Sequence, residues 1–131
     1  MESFNETYRQ RSFDFAVQIV QYAIKLREEG LPYDLFSQLL RAGTSFPANF
    51  RAASQARSDA EYYAKLCIVV EECDETVFWL DLLEKSSLIK SDETFINLRN
   101  EVNGMVKVFS KVKGNVGKRI GNSYSLKRPE S

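Results

Sequence analysis

Between Phe95 and Val116 apolar residues recur without a miss, in steps of three and four: Phe95, Leu98, Val102, Met105, Phe109, Val112 and Val116. A half-buried strand alternates in steps of two, so this seam belongs to one face of an α-helix about six turns long. Such a stripe has to be covered by partner helices, and seams of this period pack with their neighbours near about +20°. The rest of the chain is periodic in the same way. It holds only three prolines and six glycines, and no alternating run is bounded by hairpin turn residues, so a sheet has no support. At 131 residues one domain is expected. The pattern predicts an all-α, antiparallel four-helix bundle over residues 1–120, with helices at about 12–29, 33–55, 58–84 and 92–114 and a flexible basic tail over 121–131.

Each helix carries its own punctuation. Gly30 and Pro32 follow the first helix in the order of a C-terminal stop. That helix is apolar on two faces, one row being Phe13, Val17, Val20 and Ile24 and the other Phe15, Ile19, Tyr22 and Leu26. Two rows exceed what one small core requires, which points to self-association, with Phe15, Ile19, Tyr22 and Leu26 as the expected oligomer interface. The second helix contains Pro47, which lacks an amide donor and crowds the carbonyl of Gly43, so the segment is expected to kink or to restart there. The third begins at Ser58-Asp59-Ala60-Glu61, a capping box in which Ser58 and Glu61 satisfy free backbone donors reciprocally. Ser91 or Asp92 caps the fourth, and Gly114, Gly117 and Gly121 are expected to end it after about Lys113.

Several function classes fall away. The chain has no histidine, which removes the commonest general base and the commonest transition-metal ligand. Glu71, Glu72 and Glu75 have helical spacing, but carboxylate bundle sites pair Glu with His, so an acidic outer face is the expectation and no metal or cofactor is predicted. Cys67 and Cys73 fall on one helix about 9 Å apart, too far to pair. They read as small buried hydrophobes. Tyr62, Tyr63 and Trp79 are expected in the core or an interface rather than stacked on bases. The first dozen residues are polar and no apolar run reaches about 18 residues, so a cytoplasmic protein without a membrane partner is expected. These features predict a protein that is not an enzyme.

Eighteen basic residues balance eighteen acidic ones, yet the signs are segregated. From Asp59 to Glu84 eight acidic residues face one basic residue, Lys65. From Val102 to Pro129 there are seven basic residues and no acidic one. Lys107, Lys111, Lys113, Lys118 and Arg119, with Arg41, Arg51 and Arg57 from the second helix and the connection after it, are the candidate ligands for an RNA or DNA backbone. Two readings stay open: a basic surface for polyanions, or a fourth helix whose cations pair with the acidic third.

The segment Leu39-Leu40-Arg41-Ala42-Gly43-Thr44-Ser45-Phe46-Pro47-Ala48-Asn49 resembles the second-helix signature of small four-helix bundle proteins encoded in intervening sequences of bacterial large-subunit (23S) rRNA. Ser58 through Leu83, with Lys65-Leu66, Ile68, Glu72, Asp74-Glu75-Thr76 and Trp79-Leu80-Asp81-Leu82-Leu83, resembles that family's third helix. The likeness covers about residues 12–116. It implies an up-down-up-down bundle assembled as a ring-shaped homopentamer, for which no catalytic activity is established. Relatives include the accessory proteins of diversity-generating retroelements, which bind a reverse transcriptase and nucleic acid through basic surfaces. Partners implied for this chain are thus copies of itself, RNA or DNA, and a protein such as a reverse transcriptase. Arg41, Ser45, Asn49, Ser58, Glu72 and Glu75 occupy matching motif positions. Asn49 is expected to bond backbone groups that Pro47 leaves free. Members usually carry an acidic residue two or three positions after this asparagine; here Phe50-Arg51-Ala52-Ala53 holds none, and Arg51 reverses the local sign in favour of polyanions.

Overall fold

The four periodic stretches form four helices: α1 Glu2–Glu28, α2 Tyr33–Ala53, α3 Asp59–Lys85 and α4 Glu93–Lys127. They are seen in a computed structural model that describes residues 2–127 and the side chains of residues 3–122. The protein is all α, with no strand among the described residues. α2, α3 and α4 each pack along the preceding helix, whereas α1 and α4 touch only sparsely. Between α1 and α2, and between α3 and α4, low numbers in one helix meet high numbers in the other. Phe4 meets Phe50 and Phe15 meets Phe46 between α1 and α2. Asp59 meets Arg119, Cys73 meets Val102 and Asp81 meets Arg99 between α3 and α4.

A single apolar cluster runs the length of the molecule, and the α4 seam supplies its spine. Phe95, Leu98, Val102, Met105, Phe109 and Val116 are buried, and Val112 packs against them. The two rows of α1 separate cleanly. Phe15, Ile19, Tyr22 and Leu26 are buried in the chain's own core, which corrects their assignment to an oligomer interface. The surplus row is the other one: Phe13, Val17 and Ile24 are 55%, 42% and 46% exposed, and Val20 is half-buried.

Both terminal boundaries differ from expectation. α1 starts ten residues before Ser12, because Phe4 and Tyr8 extend the core row by two turns. Phe4 stacks on Tyr8 at 4.7 Å and meets Phe50 edge-on; Tyr8 meets Phe109 edge-on, and Phe50 stacks on Phe109 at 4.8 Å. Four aromatic rings from three helices close this end of the core. α4 passes through Gly114, Gly117 and Gly121 to Lys127, so residues 121–127 are helical rather than a flexible tail. Arg128, Pro129, Glu130 and Ser131 lie outside the described residues. Each helical glycine costs about 1 kcal/mol against alanine. Packing offsets that cost here, since Val116 is fully buried and a Cβ on Gly117 would come within 3.0 Å of the Tyr63 ring.

Local punctuation explains the remaining ends. α1 stops at Gly30, which takes a left-handed φ of 106° while the Leu31 amide donates to the Leu26 carbonyl. Ser58 caps α3 by accepting from the Glu61 amide at 3.1 Å, but Glu61 reaches back to the Arg57 amide at 3.4 Å, one residue beyond its expected partner. Asp92, not Ser91, caps α4 by accepting from the Phe95 amide at 2.9 Å. α2 is one helix across Pro47, so the segment does not restart there. Gly43 serves packing: a Cβ on it would lie 2.7 Å from the Ile19 side chain, so only glycine lets α1 approach α2 this closely.

Candidate nucleic-acid interface

The basic residues divide into two groups by what the fold does with them. Arg119 donates to both carboxylate oxygens of Asp59, at 2.8 and 2.9 Å, and Arg99 forms the same kind of fork with Asp81. These forks join α4 to the acidic α3, so the pairing reading holds at its two ends. The hydrogen bonds from Arg119 hold the Asp59 carboxyl below the usual carboxylate range. Arg119 is therefore paired with Asp59 in an exposed fork. Between the forks the pairing stops. Lys107, Lys111 and Lys118 stand exposed on the outer side of α4, Lys113 is half-buried, and among the described residues none of the four enters a salt bridge.

The arginines of the second helix lie elsewhere. Arg41 is exposed on α2. Arg51 is exposed on the same helix and lines an open groove of about 770 Å³ between α1 and α2. Arg9 lines it too, with Phe13, Ala16, Pro47 and Ala48 on the apolar side, and its guanidinium donates to Ser54 Oγ at 3.3 Å. Arg57 is exposed in the connection to α3. The fold does not gather the eight candidate cations into one pocket. It sets the lysines along α4 and the arginines around α2, with Arg9 as a neighbour that sequence reasoning passed over.

Of the motif residues, Asn49 and Glu72 form a strut between helices. Asn49 does not bond the backbone freed by Pro47; its Nδ2 donates to Glu72 Oε1 at 2.6 Å, tying α2 to α3. Glu75 is exposed and accepts from Trp79 Nε1 at 3.4 Å on its own helix. Glu71, Glu72 and Glu75 therefore do not converge, and among the described residues no three potential ligands group around a metal position. Cys67 and Cys73 are unpaired; burial pushes the Cys73 thiol well above its ordinary value, with its sulfur against the Val102 carbonyl. Burial likewise raises the Tyr22 phenol, helped by the charges of Asp92 and Glu29. No helix among the described residues is long and apolar enough to cross a membrane.

The strut and the second-helix signature sit within residues 5–111, the span matched by the family profile described as 23S rRNA-intervening sequence protein. The chain belongs to that family. The match covers the Asn49–Glu72 bond, the α3 cap and the α4 seam as far as Phe109. It ends at Lys111, so Lys113, Lys118 and Arg119 lie beyond it. A crystal structure of a protein with unknown function from the S23 ribosomal protein family of Bacteroides thetaiotaomicron is also similar. It is 32% identical, covers 87% of this chain and 99% of that one, and superposes with a TM-score of 0.78. No curated protein matches the chain. Membership of the 23S rRNA-intervening sequence protein family establishes ancestry and architecture, and leaves activity to be argued from the surface.

Proposed function

We propose that this member of the 23S rRNA-intervening sequence protein family is a non-enzymatic bundle of antiparallel helices that assembles into a homo-oligomeric ring of five and binds RNA or DNA through its basic surface. The observation that carries the binding reading is the run of lysines on α4 that, among the described residues, has no carboxylate partner between the two arginine forks. Unpaired cations in a row attract polyanions and release their counterions on contact. Antiparallel order is supported by residue pairs whose numbers run in opposite directions.

Self-association is supported by the exposed α1 row and by a second apolar set on α3, where Ile68, Phe78 and Leu82 are exposed on the helix that also carries the exposed Glu71 and Glu75. Phe13 of the α1 row shares a groove with Arg9, Arg51 and Glu6, whereas the α3 set stands among carboxylates, so the two surfaces are unlike. Contact between unlike surfaces propagates head to tail and closes into a ring when the rotation permits. A ring repeats the lysine face, and several weak contacts act together. The acidic, partly apolar surface of α3 favours a second reading, a scaffold that recruits a protein such as a reverse transcriptase without nucleic acid.

Binding of the protein to structured RNA tests the first reading. Lys107→Glu, Lys111→Glu and Lys113→Glu together reduce it if the reading holds, and absent binding refutes it. Affinity purification with and without nuclease separates the two readings, because a partner retained after digestion is held by protein contacts. Light scattering at micromolar concentration tests assembly: several chains per particle are expected, and a monodisperse monomer refutes the ring.

A further inference from the structure

The outward face of α4 repeats every seven residues: Gly104, Lys111 and Lys118 share one line, and Asn100, Lys107 and Gly114 the next. All six are exposed. Seven residues rise about 10.5 Å, so the three lysines span about 16 Å of helix. From Val102 to Asn122 α4 contains no acidic residue, and its outer line holds no aromatic side chain. The two glycines have no role inside the chain, since a Cβ on Gly104 or Gly114 would meet nothing within 4 Å. Each nevertheless costs about 0.5–1 kcal/mol against alanine in a helix. Glycine at an exposed, unstrained helical position lets another backbone come close.

We infer that this face docks the sugar-phosphate backbone of an RNA duplex, with the lysines on phosphates, Asn100 on a ribose 2′-hydroxyl and the two glycines giving the strand room to lie against the helix. The inference rests on the nucleic-acid reading above and narrows it. A protein partner is disfavoured because interface cores are apolar and depleted in lysine. A single strand is disfavoured because its bases stack on aromatic side chains, which this face lacks. Between duplexes, the wide and shallow minor groove of A-form RNA displays 2′-hydroxyls that a short amide can both donate to and accept from. The narrower minor groove of B-DNA offers none, and its major groove is read by side chains reaching base edges.

The test measures binding of the full assembled protein, by fluorescence anisotropy, to an RNA duplex of about 20 base pairs, the DNA duplex of the same sequence and the single RNA strand. The RNA duplex is expected to bind at least about tenfold tighter than either. Lys107→Gln, Lys111→Gln and Lys118→Gln together should remove about 40-fold of the affinity change between 50 and 200 mM salt, the share of three phosphate contacts. Gly104→Gln with Gly114→Gln is the discriminating variant. It should melt at a higher temperature than the parent while losing about tenfold in RNA affinity, an outcome that misfolding cannot produce. Equal or better binding of DNA or single strand overturns the inference, as does unchanged RNA affinity in both variants, though in either case the broader nucleic-acid reading survives. No binding to any of the three overturns both.

Discussion

Replacing Phe109 by alanine probes the aromatic end of the core. Phe109 is fully buried, stacks on Phe50 at 4.8 Å and meets Tyr8 edge-on at 5.7 Å. Removing a buried phenylalanine ring costs about 3–5 kcal/mol. Each aromatic pair adds about 0.5–1.5 kcal/mol beyond its area, so the upper part of that range is expected. With a thermal response between those of 100- and 150-residue domains, about 4 °C per kcal/mol, the melting temperature should fall by about 15–20 °C. The assay is urea and thermal unfolding followed by circular dichroism, with parent and variant at one fixed protein concentration so that a difference in concentration does not contribute. A double-mutant cycle with Phe50→Ala then isolates their coupling. A loss below about 1 kcal/mol would refute the packing described, and with it the reason given for α1 beginning at Glu2.

Three further outcomes follow from particular contacts. Asn49→Asp places a second carboxylate against Glu72 in place of a 2.6 Å hydrogen bond and should cost about 1–3 kcal/mol at neutral pH. Glu72→Gln in the same chain should recover part of it, measured by the same unfolding assay. The Asp59 carboxyl, held low by Arg119, binds a proton less readily folded than unfolded, so its contribution to stability is complete above the ordinary carboxylate range and is lost as pH falls through the lower folded value. Carboxyl NMR titration should show that value return to normal in Arg119→Ala. In thiol labelling of the native protein Cys73, buried and with its thiol pushed up, should stay unreacted until unfolding, while the half-buried Cys67 labels first.

Much of the architecture is legible in local pattern. The uninterrupted seam of α4 and the Ser58 cap identify their elements because each is a short-range physical requirement. What local pattern does not carry is the choice between alternatives that look alike. Both rows of α1 have the same spacing, and the core row is distinguished only by its continuation through Tyr8 to Phe4, a signal masked by the polar residues around them. Gly117 looks like a helix terminator because the ring of Tyr63 that crowds it and favours glycine there arrives from another helix. Asn49 sits beside Pro47 in sequence yet bonds Glu72, 23 positions away. The candidate interface divides for the same reason: all the α4 cations look alike in sequence, and only the positions of Asp59 and Asp81 decide that Arg119 and Arg99 are paired while Lys107, Lys111 and Lys118 are open.

The affinity of the intact protein for a structured RNA, measured between 50 and 200 mM salt, tests the central claim most directly. A surface that binds by releasing counterions predicts a linear fall of log affinity with log salt, steeper by about one unit for each lysine engaged. Affinity that is flat across this range, or no binding even at the lowest salt, contradicts it.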